Sequence, residues 1–200
     1  MKYAMRIKQI LTTLLGNCVM GFGVAIASQA LLGTDPSVSF SQAASIKFGI
    51  DFGRMITITN IVLLIIVFFI NKKNIGLSTL FVVLLNQYPI DFFTSIISHS
   101  DIFIINVLYC VIGAIFVAIG CNIMICSKLG MGIYDALIFG IADKTKKDFV
   151  FIRYIIDGIF LVLTFILDGY IGIGTIIPYL LTGNVMKISM PYIEKIFKFD

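Results

Sequence analysis

The 200-residue sequence predicts an all-α fold. It is read as a polytopic membrane helix bundle of two three-span copies in inverted repeat, each with a short re-entrant or interfacial helix. Three observations carry this reading. Apolar residues make up 59% of the chain and mean hydropathy is +1.04, while charged residues reach only 13% and gather between the apolar runs. That is outside the range of soluble domains, which hold roughly 25% charged residues. Six apolar runs are long enough, or nearly so, to cross a hydrocarbon core of about 30 Å, and in lipid such runs are helices because the backbone must satisfy its own hydrogen bonds. Finally, the chain is written twice. At an offset of 97, Leu32-Gly33 recurs as Leu129-Gly130, Gly23 falls on Gly120, Asp51-Phe52 on Asp148-Phe149 and Phe68 on Phe165. After one skipped residue, Ile75-Gly76 and Thr79 fall on Ile171-Gly172 and Thr175. Residues 1–200 are one membrane domain, with 14–98 as the first copy and 111–195 as the second.

The elements follow in order. Run 10–32 comes after Lys2, Arg6 and Lys8 and has the outline of a signal peptide. Its residues 17–32 match 114–129 of the second copy, so we expect a retained signal-anchor span. Gly33-Thr34-Asp35-Pro36 then opens a short segment, 36–48. Thr34 or Asp35 can cap it and Pro36 suits its first position. Runs 52–70 and 75–97 complete the first copy, and Pro89 predicts a kink in the latter. Run 102–126 begins the second copy. Gly130-Met131-Gly132-Ile133-Tyr134-Asp135 opens the second short segment, 132–142, and runs 149–167 and 171–188 follow, with Pro178 predicting a kink. As helices the short segments would be about 20 Å and 16 Å long, too short to cross. Gly23 with Ala27, and Ala114 with Ala118, are small-xxx-small pairs, so spans one and four are expected to cross closely.

Charge sets the expected orientation. With the N-terminus in the cytoplasm, Lys2, Arg6, Lys8, Lys72, Lys73, Lys128, Lys144, Lys146, Lys147, Arg153, Lys187, Lys195 and Lys198 lie inside. Only Lys47 and Arg54 lie outside, a split that favours both termini in the cytoplasm. An eight-span arrangement, with both short segments crossing, would keep most basic residues inside too, so segment length selects six.

Polar residues within the runs are the candidate site. Asp157 sits in the middle of span five, Arg153 is one turn earlier on the same face, and Asn60 is the counterpart of Asp157 in the first copy. Asn86 and Asp91, around Pro89, are candidates for the outer half of a pathway. Asn17, Asn106 and Asn122 read as interhelical hydrogen-bonders. The two turns, with Gly33, Thr34 and Asp35 in one and Gly130, Gly132 and Asp135 in the other, are candidate helix starts facing a ligand. Asp35 and Asp135 work against a purely anionic ligand and fit a cation or amine.

Other chemistries find little support. Four cysteines and the single histidine, His99, have no zinc-ligand spacing, so no metal or cofactor is expected and the thiols read as free. The net charge of +4 comes from residues at span ends and does not imply nucleic acid. There is no nucleotide-binding glycine-rich loop and no nucleophile with a nearby base, so an enzyme is not expected.

The stretch Lys128-Leu129-Gly130-Met131-Gly132-Ile133-Tyr134-Asp135-Ala136-Leu137 resembles a motif of the YczE/YyaS/YitT family of bacterial multi-pass membrane proteins. Leu32-Gly33-Thr34-Asp35-Pro36 is similar to its first-copy form, and Ile171-Gly172-Ile173-Gly174-Thr175 to the family's glycine-rich start of a late span. Ile133 stands where the family often has proline, and Val38 where its first copy often has aspartate. The resemblance implies a protein of the bacterial plasma membrane and implies no settled activity. The sequence therefore leads to a small-solute transporter or permease, working by alternating access between the copies, with lipid and an unidentified solute as partners. The alternatives are a substrate-binding subunit of a larger importer, or a non-transporting accessory or regulatory protein. Homo-oligomers and partner membrane subunits are left open.

Overall fold

The computed structural model describes residues 2–50 and 52–197; Asp51 and Lys198 lie outside them. The described residues form helices α1 (Lys2–Gln29), α2 (Pro36–Phe48), α3 (Phe52–Ile70), α4 (Leu77–Leu85), α5 (Gln87–Ile96), α6 (Phe103–Cys126), α7 (Ile133–Thr145), α8 (Phe149–Ile166) and α9 (Ile173–Ile196), with a 3₁₀ turn at Lys72–Asn74 and no strand. Among them α1, α6 and α8 are long and apolar enough to cross a membrane, and α4 with α5, bent by 42°, makes a fourth span if the pair is one. The apolar part of α3, Arg54–Ile70, is shorter. Helix α9 has 24 residues but carries Asn184 and Lys187. The chain is an integral membrane helix bundle.

Run 75–97 carries the distortion expected at Pro89: it forms two helices, α4 and α5, that meet at Asn86 with a bend of 42°. Pro89 has no N–H to give and its ring crowds the carbonyl four residues earlier, and that residue, Leu85, is where α4 ends. Pro178 lies inside α9, which is assigned as one helix through it.

Helices α1 and α6 form the centre of the bundle and run antiparallel. A Cβ added at Gly16 would lie 2.8 Å from the Gly120 carbonyl oxygen, and one at Gly23 would lie 2.7 Å from the Gly113 carbonyl oxygen. Backbones this close tolerate no side chain between them, which is how small residues let membrane helices associate. Gly21 similarly leaves room for Pro89, which would sit 2.8 Å from its Cβ.

The two short helices are built alike. Asp35 caps α2 by accepting the Ser37 N–H at 3.1 Å, Pro36 follows, and Gly49 ends the helix in the left-handed region. Helix α7 begins after Gly132 and ends at Lys146, also left-handed. Each is preceded by a tight reversal: Leu31 and Gly33 have φ of 52° and 111°, Lys128 and Gly130 have φ of 60° and 103°. Glycine takes that conformation freely, whereas leucine and lysine do so rarely.

These turns dock on the glycine-rich helix starts of the other half. The Gly174 N–H donates to the Leu32 carbonyl at 2.8 Å, and the Ser78 N–H donates to the Leu129 carbonyl at 3.0 Å. A Cβ on Gly172 or on Gly76 would collide with those same carbonyls. Helix α2 then runs parallel to the second half of α8. Phe40 meets Phe160 with ring centroids 5.4 Å apart, and Lys47 pairs with Asp168 at 2.8 Å. Helix α7 runs likewise along the second half of α3, where Leu63 packs with Ile133 and Leu137, and the Asn71 amide donates to Asp143 at 3.4 Å. Both short helices thus start at mid-length of a long neighbour and end at its terminus.

Candidate functional site

The start of α7 and the middle of α8 meet in a buried charged cluster. Asp157 is 1% exposed, Arg153 4% and Asp135 5%. Residues 153 and 157 share a face of α8 by helical spacing. Asp135 lies in the first turn of α7, where the free N–H ends of the helix favour a negative charge. Arg153 Nη1 donates to Asp135 Oδ1 at 3.2 Å, while Arg153 Nε stands 3.6 Å from Asp157 Oδ2 and has no hydrogen-bond partner. The Tyr134 hydroxyl donates to the other oxygen, Asp157 Oδ1. The guanidinium also lies 5.6 Å from the centroid of the Tyr134 ring and 3.2 Å from Met186 Sδ on α9.

Small residues and amides make the space for this cluster. A Cβ on Gly183 would lie 3.1 Å from Arg153 Cδ, so α9 is notched where the arginine passes. Asn122 on α6 fixes that stretch of α9 by donating to the Met186 carbonyl at 2.8 Å and to Ser189 Oγ at 2.9 Å. Cys121 on α6 faces Asp135, and Asp35 lies close enough for its charge to act on Arg153, Asp157 and Tyr134. The N-terminal ends of α2 and α7 therefore converge on one region. Hydroxyls gather beside α2. Ser39 Oγ is 3.1 Å from Thr34 Oγ1 and 3.4 Å from Thr175 Oγ1, and the Ser41 hydroxyl donates to Thr59 Oγ1 at 3.2 Å.

The structure joins only part of what the sequence singled out. Arg153 and Asp157 come together as expected, and Asp135 joins them rather than capping its helix, which Gly132 starts without a side-chain cap. Asn60 is half-buried on α3 and hydrogen-bonds to none of these groups. Asn86 sits at the α4–α5 break and Asp91 midway along α5, on elements that pack against α1, and Asp91 is exposed. Asn122 does tie two helices together; Asn106 donates to Ser100 O at 2.8 Å in the loop before its own helix, and Asn17 Oδ1 is buried without a hydrogen-bond partner. Tyr134, Met186 and Gly183 were not anticipated. Tyr134 lay inside the repeated turn motif and was readable there; Gly183 gave no signal of its own. The cysteines are free thiols.

Two ion pairs mark opposite ends of α8. Lys47 holds the Asp168 carboxyl below its ordinary range, and Lys187, donating at 2.6 Å, does the same for Asp148.

Comparison with known proteins agrees with the resemblance carried by the Leu-Gly turns. A family profile described as "Family of unknown function (DUF6198)" matches residues 7–191. The chain is 27% identical over 186 residues to "Uncharacterized protein YyaS" of Bacillus subtilis, covering 92% of each. It is 24% identical to "Uncharacterized membrane protein YczE" of the same organism, covering 88% of this chain and 82% of that one. An "Uncharacterized protein" of Haemophilus influenzae is 23% identical, covering 94% and 86%. No solved structure matches the chain.

Proposed function

We propose that this chain, which belongs to the DUF6198 family of unknown function, is a small-solute permease of the bacterial plasma membrane. Two inverted copies would expose a central site alternately to each side, with both termini in the cytoplasm. The observation that carries the reading is the convergence of two half-length helices on a buried, charged, mid-membrane cluster. Ionisable groups at that depth are costly and are kept where a solute or ion passes. Half-helices starting at mid-depth are a recurring way to present a binding site in carriers.

Inversion is supported by contacts that an offset of 97 exchanges. It turns the Gly16–Gly120 approach into Gly113–Gly23, and the antiparallel crossing of α1 with α6 is what a twofold axis in the membrane plane requires. The matching bonds from Gly174 to Leu32 and from Ser78 to Leu129 agree with the same axis. Rocking would part these seams in turn. Its pivot is the charged cluster of α7, α8 and α9. Asn60 lines the first-copy wall at most, because it bonds to none of that cluster.

The test is solute flux in proteoliposomes offered a mixed metabolite extract, read by mass spectrometry. At least one solute is expected to accumulate with the wild type and to fall to the protein-free level with Asp157→Asn. If no solute distinguishes wild-type vesicles from protein-free ones, the permease reading is wrong. If transport is unchanged in Asp157→Asn, the cluster has no part in it.

A further inference from the structure

We propose that the Asp135–Arg153–Asp157–Tyr134 cluster is a proton-binding site, with the proton carried by Asp157 while the halves are closed. Charge is unbalanced in this buried space. Two carboxylates, 5% and 1% exposed, share one guanidinium, 4% exposed. With all three ionised the cluster would hold an uncompensated negative charge out of water, and Asp35 adds to it from α2. Such a charge is strongly disfavoured in a protein interior unless something neutralises it.

Geometry decides which carboxylate takes the proton. Asp135 has the guanidinium at hydrogen-bond distance, 3.2 Å, and the N–H ends of α7 beneath it. Asp157 has neither. It sits mid-helix, its Oδ2 is 3.6 Å from an Arg153 N–H that makes no hydrogen bond, and its other oxygen is held by a neutral tyrosine hydroxyl. The charged and titratable groups that face it are Arg153 on its own helix, Asp35 from α2, and Tyr134 and Asp135 from α7; Cys121 of α6 lies behind Asp135, and α9 offers the uncharged Met186. None beyond Arg153 supplies a positive charge.

The unsatisfied Arg153 Nε gives the release step. When water enters, the O–H bond of Asp157 breaks, the proton passes to water, and the new carboxylate closes from 3.6 Å on Nε to make the hydrogen bond that this N–H lacks. Binding reverses these steps. If the permease reading holds, solute movement is coupled to this proton; the site itself does not depend on that reading.

The experiment is infrared spectroscopy of the full chain reconstituted in lipid at neutral pH. A protonated-carboxyl C=O band is expected in the wild type, absent in Asp157→Asn, and kept in Asp101→Asn, which alters an exposed residue outside the cluster. Tyr134→Phe is expected to move the band to higher frequency, since the carbonyl loses its donor. A wild type without the band overturns the proposal, and so does a band that survives in Asp157→Asn. Should Asp157→Asn not fold, the tyrosine variant decides, and an unmoved band sinks the proposal. A band without solute flux would remove the carrier role and leave the proton site, whereas flux without a band would do the opposite.

Discussion

Arg153 serves two carboxylates with one guanidinium, and that makes its replacement asymmetric in effect. Arg153→Gln leaves Asp135 and Asp157 facing each other in a dry space. We expect a loss of about 3–5 kcal/mol, the range for breaking a buried pair from one side. Neutralising all three, with Asp135→Asn and Asp157→Asn added, removes the stranded charge and is expected to restore most of the thermal midpoint in detergent. A triple variant no more stable than Arg153→Gln would show that packing of the arginine stem, not charge, is what matters. The exposed ends behave differently. Lys187 holds Asp148 below its ordinary value of 3.8, so this pair stabilises the fold above that value and its contribution disappears as pH falls through the lowered one. Both side chains are about half exposed, so Lys187→Ala should cost only about 0.5 kcal/mol near neutrality. The difference from wild type, read from melting curves across pH, should vanish well below 3.8. A difference that grows on acidification would contradict this pairing.

Among the elements, the α1–α6 crossing depends most on single positions. A methyl at Gly23 would stand 2.6 Å from the Val117 backbone nitrogen, and backbone cannot swing aside as a side chain does. Gly23→Ala should therefore destabilise by about 1–3 kcal/mol. Gly158→Ala on α8 is the matched control, since its Cβ would meet nothing nearer than the Tyr179 hydroxyl at 4.0 Å. It should be neutral or gain up to about 1 kcal/mol from helix propensity. Equal effects at the two glycines would argue against close backbone contact. These elements also show what sequence could carry. The Leu-Gly turns, both short helices and the crossing of spans one and four were legible because each rests on local chemistry: a positive φ, a cap, a small residue at helical spacing. The break at Asn86 was only half legible. Pro89 announced a distortion, but the space that Gly21 leaves for it exists only once α1 and α5 are packed. The site was legible as two polar residues one turn apart, Arg153 and Asp157. Its closure by Tyr134 and Asp135 depends on α7 lying beside α8, and its floor depends on Gly183, whose role exists only once α9 is packed.

At the scale of the molecule, one contact bears on how the chain is threaded. Lys47 ends α2 and Asp168 follows α8, and their atoms are 2.8 Å apart. If α2 and α7 both crossed the membrane, Lys47 would lie on the cytoplasmic side while Asp168 stayed outside, about 30 Å away, and the pair could not form. If both short helices turn back at mid-depth, the two residues share the outer surface. With both termini in the cytoplasm, as proposed, Lys146 at the end of α7 would lie inside in either arrangement and so serves as the reference. We predict that Lys47→Cys reacts with a membrane-impermeant maleimide added to intact cells, and that Lys146→Cys reacts only after the membrane is opened. Labelling of both only after opening would favour eight crossings. It would make the copies parallel and remove the basis for alternating access between inverted halves. Labelling of Lys146→Cys alone from outside would reverse the whole orientation, against the basic residues gathered at that end. Because Lys47 and Asp168 are both well exposed, losing their bond should cost little stability, so the labelling pattern reports threading rather than damage.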